Sequence, residues 1–232
     1  MRPGEVLSEA WALYKAHWRH FLPLAFVVFV VISLISLVLA LVLGWVGAVL
    51  ATLIGFIGVF WLQGALCEAV ADVRDGRADL SISDTLQKVR PRVAPLLGAG
   101  VLAGLGVAIG LVLLIVPGLV LLTWWSVIVP VVVLERVAAM DSFGRSRELV
   151  RGNGWNVFGV IVLTVLILLA FAIAFAIVAA VLLNWLPDEG KSFVQTLVVD
   201  TLTAPFLALA WTLMYFRLRR GEQETEPAPI AT

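Results

Sequence analysis

Residues 135–155, ERVAAMDSFGRSRELVRGNGW, form the longest charged segment between two strongly apolar regions of this 232-residue chain. The apolar run before this segment ends in VPVVVL at residues 129–134, and the run after it, residues 156–183, contains no charged residue. A charged segment between two such runs is typical of a loop that connects transmembrane helices. We therefore interpret residues 135–155 as a membrane-surface helix between two spans.

The composition supports this interpretation, because 62% of the residues are hydrophobic and only 14% are charged. Soluble domains usually carry about a quarter charged residues. The formal net charge is zero, which gives no general attraction to nucleic acid. The single cysteine excludes an intramolecular disulfide. The expected partner is the lipid bilayer, and no nucleic acid is expected.

The apolar stretches are long enough to cross a hydrocarbon core of about 30 Å, and they predict six transmembrane helices. The predicted spans are residues 21–43, 45–68, 95–116, 119–134, 155–183 and 193–216. Pro117-Gly118 predicts the turn between the third and fourth spans, and Pro130 predicts a bend in the fourth. The predicted fold is an all-α integral membrane protein in which residues 1–220 form one domain of three helical hairpins. The acidic tail, residues 221–232, is predicted to be disordered.

An amphipathic segment precedes each predicted hairpin, and we expect each one to lie as a helix at the cytoplasmic membrane surface. Four bulky side chains share one helical face of the first segment: Leu7, Trp11, Tyr14 and Trp18. The second segment begins at Ser81, which predicts an N-cap with Asp84 three residues later. The third segment is residues 135–155.

The orientation follows from the positions of lysine and arginine, because cytoplasmic loops carry an excess of both. The predicted topology places fifteen of the sixteen on one side of the membrane and only Lys191 on the other. The fifteen are Arg2, Lys15, Arg19, Arg74, Arg77, Lys88, Arg90, Arg92, Arg136, Arg145, Arg147, Arg151, Arg217, Arg219 and Arg220. The sequence therefore predicts a membrane protein with both termini in the cytoplasm.

Five stretches carry a family resemblance: GEVLSEAWALYKAHW at residues 4–18, DGRADLSISDTL at 75–86, IVPGLVLLTWWSVIVPVVVLE at 115–135, DSFGRSRELVRGNGW at 141–155 and MYFRLRR at 214–220. They resemble a bacterial multi-pass family, the membrane domain of glycerophosphoryl diester phosphodiesterase. The most specific piece is Ser146 with the LVRG run at residues 149–152. The resemblance spans about residues 4–220, and it implies a fold and a location in the bacterial inner membrane.

The phosphodiesterase activity of that family belongs to a separate soluble barrel domain with its own His and Glu residues and a metal. This sequence contains only two histidines, His17 and His20, both in the first amphipathic segment. No nucleophile with a base and an orienting partner can be assembled from the few polar residues. We therefore expect neither enzymatic activity nor a cofactor or metal.

Asp200 is the most conspicuous polar residue of the predicted spans, because a carboxylate at the centre of a transmembrane helix costs about 2.5–3.5 kcal/mol. Thr196 and Thr203 lie four residues before it and three after it, so that the three form a polar stripe. One interpretation is a proton or cation site that lines a path. The other is a carboxylate that is protonated, hydrogen-bonded or wet and serves only packing.

Two functions are therefore open. The first is a structural or accessory membrane domain whose cytoplasmic arginines, Arg145, Arg147 and Arg151, contact anionic lipids or a partner, at about 1 kcal/mol for each basic residue. The same arginines could instead only fix the topology. The second is a transporter of small solutes or ions that uses Asp200.

Overall fold

A computed structural model describes residues 2–74, 81–183 and 188–225, and these residues form eight α-helices and a short 3₁₀ helix without any strand. The helices are α1 (Pro3–Arg74), α2 (Ile82–Val89), α3 (Val93–Leu113), α4 (Ile115–Trp124), α5 (Ile128–Leu134), α6 (Ala139–Val150), α7 (Gly154–Leu182) and α8 (Asp188–Thr225), with the 3₁₀ turn at Arg90–Arg92. The prediction of an all-helical fold is confirmed.

The long helix α1 folds back on itself at Gly44. A straight helix of its 72 residues would be about 108 Å long, more than three times the hydrocarbon core. Gly44 has a φ of 56°, in the left-handed region that favours glycine. A Cβ atom on Gly47 would lie 1.8 Å from the carbonyl oxygen of Leu39, and one on Gly58 would lie 2.4 Å from Cδ1 of Ile32. The two arms of α1 therefore run side by side in opposite directions.

Five helical stretches of the described chain are long and apolar enough to cross a membrane. They are Pro3–Arg74, Ile82–Leu113, Ile115–Leu134, Gly154–Leu182 and Phe193–Glu224. The first two predicted spans, residues 21–43 and 45–68, both fall within the first of these stretches, one on each side of Gly44.

The buried core lies at one end of these helices. It is built mainly from residues 6–25 and 62–73 of α1, residues 127–133 and residues 204–218. Large apolar side chains near the opposite ends are exposed: Trp45, after the Gly44 turn, is 80% exposed, and Val112, near the end of α3, is 86% exposed. Soluble monomers do not expose apolar surface on this scale. Lipid is therefore the natural environment of these ends, and the chain is a membrane protein.

Two interruptions between helices lie earlier in the chain than the positions that the prolines indicated. The predicted turn at Pro117-Gly118 is wrong: the break is at Leu114, with φ −158° and ψ 133°, and Pro117 is the third residue of α4. A second break, at residues 125–127, precedes α5, and Pro130 is the third residue of that helix. Proline is tolerated in a first helical turn because the N–H that it lacks would have no intrahelical acceptor there. Each proline therefore marks a helix start, and the fourth apolar stretch begins four residues earlier than predicted.

The N-terminal segment of α1 packs lengthwise against α8, and the contact between these two helices is the most extensive in the molecule. The Tyr14 hydroxyl donates a hydrogen bond of 3.0 Å to the carbonyl of Leu202, and the Trp11 ring lies edge-on to Phe206. At the other end of the segment Arg217 binds Glu5 and Glu9. The sequence identified this amphipathic helix but not its protein partner.

The other two amphipathic segments are also helical. Ser81 is the N-cap of α2, as predicted, and its hydroxyl accepts a hydrogen bond from the amide of Asp84. The indole N–H of Trp61 on α1 donates a hydrogen bond of 3.0 Å to the carbonyl of Leu86 on α2. The third segment is α6, whose residues Ser142, Ser146, Leu149 and Val150 are buried.

The predicted disorder of the tail is wrong for its first part. α8 continues to Thr225, and Glu222 lies in its last turn, where it binds Arg145. The acidic composition indicated disorder because the sequence alone gives no position for the opposing cation. Residues 226–232 lie outside the described chain.

The Gly44 turn gives a direct prediction. A methyl group on Gly47 meets backbone atoms of Leu39, which have little freedom to move, so Gly47→Ala should lower the stability of the purified protein by about 1–3 kcal/mol. Gly104→Ala is the matched control, because a Cβ on Gly104 meets nothing within 4 Å. Thermal unfolding in detergent measures both variants. Equal melting temperatures for them would contradict the close approach of the two arms.

Candidate functional site

The carboxylate of Glu135 joins three helices at the end of the molecule that holds the core. It lies just after α5 and accepts a hydrogen bond of 2.8 Å from Nε of Arg145 on α6. Its second oxygen accepts a hydrogen bond of 2.9 Å from the hydroxyl of Tyr215 on α8. The same arginine binds both carboxylate oxygens of Glu222 at 2.7 Å each. Two-pronged arginine–carboxylate pairs of this kind fix geometry as well as contribute energy.

These bonds remove Arg145 from the group of arginines available to a ligand. The hydrogen bonds that Arg145 donates to Glu222 and Glu135 raise the pKa of Arg145 above its ordinary value. In return, the hydrogen bonds from Arg145 hold the pKa of Glu222 below its ordinary value. Arg145 therefore joins α5, α6 and α8, and the lipid contact predicted for it stays a prediction.

Arg147 and Arg151 have different surroundings from those of Arg145. The guanidinium of Arg147 lies 4.3 Å from the centre of the Trp124 ring, a favourable cation–π arrangement. Both arginines are exposed, and within residues 2–74, 81–183 and 188–225 neither forms an ion pair with a carboxylate. With Trp124 and Glu148 they line a polar surface depression of about 510 Å³.

Ser146 fixes α6 in this place. Its side chain is buried, and its hydroxyl donates a hydrogen bond of 2.7 Å to the carbonyl of Trp124 at the end of α4. The bond secures a backbone acceptor that would otherwise be free where α4 ends. Ser146 thereby places the next residue, Arg147, over the Trp124 ring.

The stripe predicted around Asp200 lies on α8, and among the described side chains no hydrogen bond joins Asp200 to Thr203. Asp200 is half-buried on α8 and has no hydrogen-bond or ion-pair partner among the described side chains. The hydroxyl of Thr203 donates to the carbonyl of Val199 at 2.8 Å, within its own helix. The side chain of Thr196 lies outside the described set, so its part in the stripe stays a prediction.

Several polar contacts were not found from the sequence. Arg217 holds Glu5 and Glu9 at 3.2 and 2.7 Å, and Lys88 holds the buried carboxylate of Glu68 at 2.7 Å. These three pairs join residues at least 20 positions apart in the chain, so no local spacing indicates them. These ion pairs hold helices together at the end of the molecule that contains the core.

Metal ligands are not gathered at any described site: within the described ranges, no group of three His, Cys, Asp or Glu side chains could hold a metal ion. Comparison of the chain with protein-family models, curated proteins and solved structures gives no match. The family resemblance therefore rests on the quoted sequence stretches alone.

The Arg145–Glu222 pair predicts a pH-dependent stability. Because the pKa of Glu222 is lowered in the folded protein, the pair stabilises the fold above about pH 4.3, the ordinary glutamate pKa. This contribution is lost as the pH falls through the lowered pKa. Glu222→Gln should lower the stability at pH 7 by about 0.2–1 kcal/mol, and this effect should shrink as the pH falls below about 4.3.

Glu224→Gln is the control, because Glu224 is exposed on the same helical turn and binds no described cation. Thermal unfolding of both variants across this pH range checks the prediction. A loss in Glu222→Gln that is the same at every pH would show that the charge of Glu222 has no part in it.

Proposed function

We propose that this chain is an accessory membrane domain of the bacterial inner membrane that holds anionic phospholipid on a basic cytoplasmic surface. This surface consists of Arg147 and Arg151 with the Trp124 ring between α6 and α4. It acts by binding and carries out no chemical reaction. A protein partner with an acidic surface is the alternative occupant.

The proposed topology has six spans in three hairpins, with both termini in the cytoplasm. The sharp turn at Gly44 supports two spans within α1, and the break at Leu114 supports a hairpin of α3 with α4 and α5. The concentration of fifteen of the sixteen Lys and Arg residues on one side supports the orientation. The resemblance to the membrane domain of glycerophosphoryl diester phosphodiesterase agrees with this arrangement and brings no catalytic residues.

The observation that carries the proposal is the difference between paired and unpaired arginines. Arg145 and Arg217 are bound by carboxylates, whereas Arg147 and Arg151 are exposed without such a partner in the described chain. An unpaired arginine at the cytoplasmic membrane surface attracts anionic headgroups by about 1 kcal/mol. Its planar donor group also suits phosphate.

Lipid retention tests the proposal. The purified protein should retain phosphatidylglycerol in preference to phosphatidylcholine when native mass spectra are recorded from mixed-lipid nanodiscs. Arg147→Gln with Arg151→Gln should lower the retained fraction about tenfold or more, since each arginine contributes about 1 kcal/mol.

Arg90→Gln is the control for Arg147→Gln alone, because each variant loses one positive charge and Arg90 is also exposed without a described carboxylate partner. Arg90 lies on the 3₁₀ turn and does not line the depression beside Trp124. The same loss with Arg90→Gln would indicate general charge attraction instead of a defined surface. Equal retention of the two lipids by the unaltered protein would reject the proposal.

A second candidate function is the movement of protons or small cations past Asp200. It is favoured by one observation, the half-burial of this carboxylate without a partner among the described side chains. The same half-burial is also expected of a carboxylate that has no function and that the fold merely tolerates. The two interpretations differ in what a neutral replacement does.

Under the main proposal, Asp200→Asn should leave lipid retention unchanged and raise the thermal stability, because a carboxylate costs up to about 2.5 kcal/mol in an apolar helix. Asp141→Asn, at an exposed position of α6, is the control and should change neither property. Proton flux measured in proteoliposomes decides between the functions. Flux that is present in the unaltered protein and lost in Asp200→Asn would establish transport.

A further inference from the structure

A groove runs between α4 and the start of α7. Its walls are Val116, Leu119 and Val120 on α4, and Trp155 and Phe158 on α7. Its volume is about 630 Å³, which lies within the range of roughly 300–1,000 Å³ found for small-molecule pockets. Because these walls are apolar, the groove suits a hydrocarbon chain.

The groove meets the basic surface at Trp124. This tryptophan lines the apolar groove, and it also lines the depression formed with Arg147, Glu148 and Arg151. A single ligand that occupies both spaces has an apolar part and an anionic part. The two spaces together therefore fit an amphiphile.

The charges at the mouth of the groove suit a phosphate. Arg147 and Arg151 have no carboxylate partner among the described residues, and Glu148 lies 3.7 Å from Arg145, which offsets its charge. The amide side chain of Asn153 also lines the groove and makes no hydrogen bond within the described chain. It offers a further donor to the phosphate or to an ester oxygen.

Other occupants fit only one of the two spaces. An apolar helix of a partner would cover the groove and leave both arginines unmatched, and a soluble phosphate ester would leave the groove without hydrocarbon. A phospholipid matches both spaces, and the helices that form the groove belong to stretches apolar enough to cross the bilayer.

We propose that this groove holds one acyl chain of an anionic phospholipid whose phosphate lies on Arg147 and Arg151. The inference rests on the proposed function and adds to it a defined position for one lipid. Trp124 lies at the junction of headgroup and chain, where the amphipathic ring of tryptophan is favoured.

Photo-crosslinking tests the position without altering the protein. The full chain is placed in phosphatidylcholine nanodiscs that contain phosphatidylglycerol with a diazirine on one acyl chain, and mass spectrometry maps the adducts. Adducts should concentrate on Val120 and Phe158. An even spread over the exposed apolar faces of α1, α3 and α7 would overturn the inference.

Val120→Trp should fill the groove and lower crosslinking at Phe158 about tenfold, because the chain loses its apolar contacts there. Val165→Trp is the matched control, since Val165 is exposed on α7 away from the groove. The crosslinking of the two variants is compared only if their melting temperatures are equal. If Val120→Trp does not fold, the adduct map of the unaltered protein still decides.

The outcomes separate this inference from the proposed function. If Arg147→Gln with Arg151→Gln lowers phosphatidylglycerol retention but Val120→Trp does not, and no groove adduct forms, the groove is rejected and the basic surface stands. If neither change lowers retention, both are rejected. Competition by free glycerol phosphate as strong as that by phosphatidylglycerol would show a phosphate site without a chain site, and would also overturn the inference.

Discussion

The fold depends on the carboxylate of Glu135, whose two oxygens are shared between Arg145 and Tyr215. These bonds join the end of α5 to α6 and α8, which come from distant parts of the chain. A carboxylate that is only 14% exposed is expensive to leave without a cation. α6 must therefore lie where Arg145 can reach it, and this position sets the place of every other side chain on α6.

The position of α6 also explains which features the sequence could predict. The charged stretch and its helix followed from composition, but Arg145, Arg147 and Arg151 were treated as equivalent. Helical geometry separates them, because residues 147 and 151 are one turn apart on the same face whereas residue 145 points elsewhere. The spacing of the arginines therefore indicated that Arg147 and Arg151 form one group and that Arg145 belongs to another. The partner of Arg145 at residue 222 could not be predicted, since the two residues are 77 positions apart in the chain.

Helix starts were predicted less well than helix lengths, and the two chain breaks show why. At Leu114 the backbone amide still donates to the carbonyl of Gly110 at 3.0 Å, and near the second break Ser126 donates through its hydroxyl to the carbonyl of Thr123 at 2.9 Å. Lipid offers no water to backbone groups, so a break is stable only where the chain itself supplies such partners. Each helix thus keeps local hydrogen bonds up to its break, and a proline lies in the first turn of the helix that follows.

The contact of Arg217 with Glu5 and Glu9 has a consequence for how the chain is made. Ribosomes release the N-terminal segment first, and α8 last among the described helices. The carboxylates of that first segment remain without this arginine until α8 has been synthesised. Closure of the core therefore follows the synthesis of α8, and until then the membrane surface is a suitable location for the early segment because of its tryptophans and charges.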